Sequence, residues 1–184
     1  MAYERRRTKK IILENTRLIY KPNFSGDPSL NYSPNDTSRN FNIVLDEKSQ
    51  NARYGTCEDD MKPLKIEDLV NDGWNVKFTN DEDATPFLPV TASYKKRGPN
   101  IIKAIGTSSK IKVDESNISD LDSDYIENID YITINSYEWE PGRIKAYLRD
   151  MFVTVEDDPF MRRFGSDFTN SELIDDADDD DVPF

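Results

Sequence analysis

Aromatic and basic side chains alternate along the stretch from position 137 to position 149. Alternate side chains of a β-strand point to the same face, so two strands joined by a turn at 140–142 would gather them on one surface. Unpaired bases stack on aromatic rings, while Lys and Arg follow the phosphates of the same strand. This combination of residue types is therefore typical of a surface that binds single-stranded nucleic acid. Its members are Tyr137, Trp139, Arg143, Lys145, Tyr147 and Arg149.

A second set of the same residue types lies in the segment 93–103, around the turn signal Arg97-Gly98-Pro99. We expect a hairpin that projects from the sheet and could clamp a nucleic-acid strand. A plainer interpretation applies to both sets, because aromatic rings also pack in cross-strand pairs and cations also keep sheet edges soluble. Both interpretations stay open on the sequence alone. The second set comprises Tyr94, Lys95, Lys96, Arg97 and Lys103.

Catalytic and metal-binding chemistry has little support in the composition. The chain has no histidine and a single cysteine, Cys57, which excludes histidine-based triads, histidine-ligated zinc and an intramolecular disulfide. Adjacent acids such as Asp59-Asp60 could bind Mg²⁺, but acids in loops are more often solubilising. No apolar run approaches the ~20 residues of a membrane helix. We therefore expect a non-catalytic protein of the cytoplasm that needs no cofactor and no metal.

Most periodic segments of the chain alternate apolar and polar residues with period two, as strands with one buried face do. Gly, Pro and Asn bound these segments at short spacing, which predicts a mainly β fold with hairpin-like turns. The apolar sets include Phe41, Ile43 and Leu45, then Trp74, Val76 and Phe78, then Leu88, Val90, Ala92 and Tyr94.

The last predicted strand, 143–155, contains a break in its alternation. Its apolar phase slips by one residue between Leu148 and Met151. One extra residue at Arg149-Asp150 predicts a β-bulge, and bulges bend strands at the corners of barrels. A small, strongly curved sheet follows, and we expect a five-stranded antiparallel barrel of the OB type with elaborated loops and a few short helices.

Helical signals are few and short. The segment 65–73 has apolar residues at helical spacing and ends at the stop signal Gly73. Two further short helices are predicted, one within 116–129 and one within 156–165. The stretch from 25 to 39, rich in Asn and Ser and broken by Gly and Pro, is predicted to be a long loop.

The charge of the chain is distributed unevenly, although its total is −12. Residues 166–184 contain eight acids and no Lys or Arg, whereas residues 1–21 have a net charge of +5. An acidic balance therefore does not exclude a polyanionic ligand. We predict a basic N-terminal arm at 1–7, an OB-like DNA-binding domain at 8–165 and a disordered, flexible acidic tail at 166–184.

The acidic tail ends on apolar residues. A solvated charge run would explain the aspartates, but it gives the ring of Phe184 no role, since an exposed ring reduces solubility. Such a ring is suited to a partner's pocket, while the aspartates speed the encounter with a basic surface. The predicted partner-binding tip comprises Asp179, Asp180, Asp181, Val182, Pro183 and Phe184.

The sequence DDDVPF, from Asp179 to Phe184, resembles the acidic tip of bacterial single-stranded DNA-binding proteins, with Val182 in place of Ile. The body of the chain is more similar in layout to phage-encoded single-stranded DNA-binding proteins, and the segment 136–160 carries this likeness. The resemblance implies an elaborated OB fold that coats single-stranded DNA without sequence preference during phage replication or recombination. It also implies a location in the host cytoplasm and recruitment of replication or recombination proteins through the tip.

Two other functions stay open. An acidic DNA mimic or inhibitor would use its carboxylates to occupy the nucleic-acid site of a host protein, and an adaptor would use the tail alone. A mimic should spread its acids over the folded surface, whereas eight acids of this chain lie within 166–184.

Overall fold

The structure is a computed structural model, and it describes residues 9–46, 51–56, 58–106 and 109–156. Within these residues the fold has eleven strands, one α-helix and three 3₁₀ turns. The mainly β class predicted from the sequence is therefore confirmed.

The last two strands are the longest, with 15 and 13 residues. The strands in chain order are β1 (Lys10–Thr16), β2 (Leu18–Asn23), β3 (Arg39–Val44), β4 (Arg53–Gly55), β5 (Lys62–Pro63), β6 (Lys77–Phe78), β7 (Pro86–Ala92), β8 (Asn100–Ile105), β9 (Ser109–Val113), β10 (Ile126–Glu140) and β11 (Arg143–Val155). The helical elements are α1 (Ile66–Asp72) and the 3₁₀ turns Pro28–Leu30, Glu58–Asp60 and Ile118–Asp122.

Hydrogen bonds join all the described strands into one sheet. Its main path runs in the order β2, β3, β7, β11, β10, β1, β4, β5, with β6 beside β7 and with β8 between β11 and β9. This path does not close on itself, so the five-stranded barrel of the OB type is not confirmed by the pairing. The sheet is also mixed, because β7 and β8 both run parallel to β11.

The hairpin predicted for 93–103 is wrong. β7 and β8 do not pair with each other in the described sheet; each pairs with β11, at Tyr147 for β7 and from Asp150 to Val155 for β8. The connection 93–99 therefore carries the chain onward in the same direction along one edge of β11. The antiparallel partner of β8 is β9 instead.

The alternation of apolar residues in the longer strands is confirmed. Phe41 and Ile43 of β3 are buried, as are Leu88 and Val90 of β7. The bulge is confirmed as well, since Leu148 pairs with Ile134 and Asp150 with Thr133, which leaves Arg149 as the extra residue. On both sides of the bulge, the inward residues of β11 remain buried: Ala146, Leu148, Met151, Val153 and Val155.

Two predicted segments differ from the structure. The strand predicted around 74–78 is reduced to β6: Trp74 is buried and Val76 packs against the core, whereas Phe78 is half exposed. The predicted helix within 116–129 is a 3₁₀ turn at Ile118–Asp122. The helix at 65–73 is confirmed as α1, the loop at 25–39 is confirmed apart from the short 3₁₀ turn, and the helix at 156–165 lies outside the described residues beyond Glu156.

The end of α1 is fixed against the turn between β10 and β11. Gly73 ends the helix in the left-handed region, with φ of +103°, and its N–H donates to the carbonyls of Leu69 and Val70. The carbonyl of Gly73 accepts from the N–H of Ile144 at 2.9 Å. A Cβ at Gly73 would lie 2.1 Å from the carbonyl oxygen of Gly142, so only glycine allows this approach.

We expect Gly73→Ala to lower the free energy of unfolding more than Gly142→Ala does. Both glycines have positive φ, where an L side chain costs about 1–2 kcal/mol. At Gly142 an added Cβ meets nothing within 4 Å, whereas at Gly73 it meets the backbone of the turn. Forcing the end of α1 and the turn between β10 and β11 apart should add about 1–3 kcal/mol to the loss in Gly73→Ala. Urea unfolding of both variants measures the difference, and equal losses would contradict the close packing.

Candidate nucleic-acid interface

The outward face of the hairpin formed by β10 and β11 gathers the aromatic residues of the first predicted set. Tyr137 and Trp139 are each 50% exposed. Lys145 pairs with Tyr137 across the two strands, and Tyr147, which pairs with Asn135, lies two pairs further from the turn. The rings of Tyr137 and Tyr147 meet edge to face with centroids 6.1 Å apart. The sequence therefore placed these side chains on one surface correctly, because the alternation of both strands holds up to the bulge.

Two of these rings carry a cation on their faces. The guanidinium of Arg143 lies 5.5 Å from the ring centroid of Trp139, and the ammonium of Lys145 lies 5.4 Å from that of Tyr147. Cation–π attraction at exposed sites contributes about 0.5–1 kcal/mol. Each of these two rings is thus accompanied by a charge that could contact the phosphate next to a stacked base.

Two adjoining concavities cover this face. They have volumes of about 720 and 880 Å³ and share Tyr137 and Tyr147. We call them together the groove. The first is also lined by Ser93, Lys95, Lys96, Arg97, Gly98, Asn100, Asn135, Leu148 and Arg149. The second is lined by Asn40, Gly73, Trp74, Asn75, Pro89, Thr91, Trp139, Arg143, Ile144, Lys145 and Ala146.

Three cations of the second predicted set join the groove. Lys95, Lys96 and Arg97 lie on the connection between β7 and β8 and line the first concavity opposite Tyr137. The connection reaches the groove because β7 and β8 follow one another along β11. The hairpin from which the sequence derived this proximity does not exist, yet the side chains arrive at the same surface.

Tyr94 takes a different position from its neighbours. Its ring packs against the core and lies under the guanidinium of Arg39, with 5.4 Å between ring centroid and Cζ. Gly98 lies directly against this ring, since a Cβ there would come within 2.3 Å of it. Burial raises the pKa of the Tyr94 hydroxyl above its ordinary value. Tyr94 therefore supports the connection from below, and its ring faces are already covered.

Lys103 also lies apart from the groove. It is 8% exposed on β8, and its ammonium forms a salt bridge of 2.8 Å with Asp124. The alternation of β8 places Ile102 outward and Lys103 inward, the reverse of what their polarity suggests. The buried charge is tolerated because the carboxylate of Asp124 compensates it.

The groove also has a polar floor, which the sequence patterns did not predict. Asn40 of β3 and Thr91 of β7 line the second concavity, and the hydroxyl of Thr91 donates to the amide oxygen of Asn40 at 2.8 Å. Both are the outward neighbours of buried residues, Phe41 and Val90. The signal was therefore present as polar residues in alternation with the core, but polarity alone does not separate a binding floor from ordinary surface.

An acidic residue of the long loop lies in the field of the groove cations. The hydrogen bonds from Ser38 lower the pKa of the Asp36 carboxyl, and the charges of Lys145 and Lys95 lower it further. The amide of Asn31 holds this loop in place by donating to the carbonyls of Asp36 and Ser38 at 2.7 and 3.0 Å. An anionic ligand in the groove would therefore compete with Asp36 for the same lysines.

A hydrogen-bonded chain supports one wall of the groove. The indole N–H of Trp74 donates to the Tyr54 hydroxyl at 2.7 Å, and that hydroxyl donates to the carboxylate of Asp72 at 2.7 Å. Lys9 pairs with the same carboxylate at 2.9 Å. Burial raises the pKa of the Tyr54 hydroxyl well above its ordinary value, and the hydrogen bond to Asp72 raises it further. Because Trp74 is only 4% exposed, it acts as a wall and not as an open stacking face.

Among the described residues, no three acidic or cysteine side chains converge in a way that could hold a metal ion. The described part of the chain also contains no helix that is both long enough and apolar enough to span a bilayer. The predicted partner-binding tip, residues 179–184, and the basic arm, residues 1–7, lie outside the described residues.

Comparison with known families gives one match. Residues 1–183 match the model of the family described as "Putative phage ssDNA-binding domain". The match covers nearly the whole chain, and the chain therefore belongs to this family, as the resemblance noted in the sequence implied. Neither a curated protein nor a solved structure matches the chain.

We expect Tyr54→Phe to destabilise the fold by about 1–3 kcal/mol, because it leaves the buried indole N–H of Trp74 without its acceptor. A hydroxyl whose pKa is raised by folding stabilises the fold fully below the ordinary Tyr pKa of about 10. That contribution is lost as the pH rises above this value. We therefore expect the change from neutral pH to about pH 11 to lower the free energy of unfolding less in Tyr54→Phe than in the wild type. Urea unfolding at both pH values measures this difference.

The matched control for this variant is Tyr125→Phe. Tyr125 is 69% exposed, and its hydroxyl makes no hydrogen bond within the described part of the chain. This substitution removes the same atom and should change the free energy of unfolding by no more than about 0.5 kcal/mol. Similar losses in both variants would show that the hydrogen-bonded chain does not support the wall.

Proposed function

We propose that the protein binds single-stranded DNA in the groove without sequence preference. The observation that carries this proposal is the pairing of exposed rings with cations along a concave strand face, at Trp139 with Arg143 and at Tyr147 with Lys145. The rings would stack on successive bases, each worth ~1–3 kcal/mol, and the cations would contact phosphates. Family membership supports the same ligand.

Independence of sequence follows from the kind of contact. Every base has a π-face, so stacking on Tyr137, Trp139 and Tyr147 does not distinguish one base from another. Lys95, Lys96 and Arg149 contact the backbone, which carries no sequence information. Phosphate contacts release counterions, so affinity should fall with rising salt, with a slope of about −0.7 per contact.

We also propose that the central strands form an OB-type barrel. β1 and β2 are separated only by Arg17, whose carbonyl accepts from the N–H of Val44 at 3.0 Å. The hydroxyl of Thr16 donates to the carbonyl of Val44 at 2.7 Å, which ties the same bend to the end of β3. If β1 and β2 are counted as one bent strand, the order β3, β7, β11, β10 returns to its start. Five strands in this arrangement fit a small barrel whose face binds oligonucleotides.

The proposed role in the cell is to coat single strands during phage replication or recombination, in the host cytoplasm and without catalysis. Within this role the acidic tip recruits replication or recombination proteins. The tip comprises Asp179, Asp180, Asp181, Val182, Pro183 and Phe184. The resemblance of DDDVPF to the bacterial acidic tip supports this assignment. The acids of the tail would also compete with DNA for the groove cations at low salt.

We expect Trp139→Ala to lower the affinity for oligo-dT by about five- to 150-fold, as the loss of one stacked base implies. Binding should quench the tryptophan fluorescence of the wild type. Because Trp74 is 4% exposed and Trp139 is 50% exposed, the variant should lose most of this quenching. Anisotropy of a labelled oligonucleotide measures the affinity of both proteins.

Tyr125→Ala is the control for this experiment. Tyr125 is also exposed, at 69% against 50% for Trp139, but it immediately precedes β10, at the opposite end of that strand from Trp139. Its removal should leave the affinity unchanged. A wild-type protein that binds oligo-dT with no dependence on salt, or a Trp139→Ala variant with unchanged affinity, would contradict binding in the groove.

We expect deletion of residues 175–184 to raise the affinity for oligo-dT at low salt, because it removes six aspartates that compete with DNA. The difference should disappear near 1 M salt, where charges act over only about 3 Å. Phe184→Ala retains all six aspartates, so it should bind DNA like the wild type and lose only the docking of partner proteins. Equal affinity of the full and shortened chains at low salt would refute the competition.

A further inference from the structure

The outward face of β11 continues beyond the groove as a second aromatic and cationic surface. Tyr131 of β10 pairs with Phe152 of β11. Phe152 pairs in turn with Ile102 of β8, and Ile102 pairs with Lys112 of β9. Directly paired residues share one face of a sheet, so these side chains form a row across four strands. We call this row, together with Lys110, the distal patch.

The distal patch is accessible and repeats the chemistry of the groove. Tyr131 is 37% exposed and Ile102 is 41% exposed, with Phe152 partly buried between them. The ammonium of Lys110 lies 5.6 Å from the ring centroid of Phe152. A ring with a cation on its face thus occurs a third time on the outward side of this sheet.

The distal patch adjoins the groove along two strands. On β11, Phe152 is the third residue after Arg149, about 10 Å further on at the usual rise of a strand. On β8, Ile102 is the second residue after Asn100, which lines the groove. Asn100 also donates to the carboxylate of Asp150 at 2.9 Å, so the boundary between the two surfaces is a fixed contact.

The charges of the distal patch favour an anionic ligand on its β9 side. Lys110 and Lys112 are exposed on that strand. Two acids of β10 and β11 beside the patch, Asp130 and Asp150, already accept hydrogen bonds from neighbouring side chains, while Glu127 near the start of β10 is exposed. Glu14 borders the patch on its far side, where it pairs with Tyr131. A polyanion that leaves the groove along β11 would therefore meet one ring and two ammonium groups on its way toward β9.

We propose that the distal patch is a second binding segment for the same DNA strand, occupied only when the strand is longer than the groove. Phe152 and Tyr131 provide apolar surface for a base, and Lys110 and Lys112 contact phosphates. This proposal rests on the proposed function, since it extends the path of the strand in the groove. It implies that the number of nucleotides covered per molecule lies toward the upper part of the range of about 4–16 found for OB folds.

The test compares a short and a long oligonucleotide, of about five and about fifteen thymidines, which bracket that range. The full chain carries either Lys110→Gln with Lys112→Gln, or Phe152→Leu, which keeps an apolar side chain. For the long oligonucleotide, the lysine variant should reduce the slope of log affinity against log salt by about 1.4, at about 0.7 per phosphate contact. Phe152→Leu should weaken binding of the long oligonucleotide by about fivefold or more. Neither variant should change binding of the short one.

The matched control is Lys62→Gln with Lys65→Gln, which removes the same charge from exposed positions on and next to β5. β5 is the end of the sheet path furthest from β8 and β9, so the control should reduce the slope by much less than the Lys110 and Lys112 pair does. Unchanged binding of the long oligonucleotide by the patch variants would overturn the proposal and leave the patch to a protein partner or a second copy. Patch variants that lose the same affinity for the short and for the long oligonucleotide would overturn the proposal too. Absence of binding by the wild type would instead refute the proposed function.

Discussion

The position of β11 in the sheet is the constraint on which the rest of the structure depends. β10 pairs with it along its whole length, while its other edge is shared between β7 near Tyr147 and β8 from Asp150 onward. The bulge at Arg149 separates the two halves, and bulges bend a strand while keeping its inward side chains in the core. The groove forms where β7 ends, because the connection 93–99 leaves the sheet there before β8 begins.

The charges of the molecule are unevenly distributed and act over short distances. A chain with a net charge of −12 gathers Lys95, Lys96, Arg97 and Lys145 around the two concavities of the groove. The charges of Lys145 and Lys95 also act on Asp36. Charges separated by more than about 10 Å are screened at 0.1 M salt. A ligand in the groove would therefore respond to the nearby cations and not to the total charge, so the negative net charge does not exclude a polyanion.

The sequence predictions were correct for features set by neighbouring residues of the chain and wrong for features set by contacts between distant segments. The period-two alternation identified the inward residues of β3, β7 and β11, and a slip of one residue located the bulge at Arg149, because both are local properties of the backbone. The path of the connection 93–99 was not local. Whether β8 folds back on β7 or continues along β11 depends on free hydrogen-bonding positions on β11, and the sequence of the connection does not contain that information. Lys103 was misplaced for the same reason, since its inward position depends on Asp124 in another element.

The contrast between Tyr94 and Tyr147 separates a ring that packs against the core from the ring that we propose as a stacking site. Both lie beside a cation at about the same distance, 5.4 Å from Arg39 and from Lys145 respectively. Tyr94 also packs against Gly98 and the core, and it does not line the groove. Tyr147 meets Tyr137 edge to face and lines both concavities. The cation on such an open ring holds it in place before binding, so less side-chain entropy is lost when a base replaces solvent on the remaining surface.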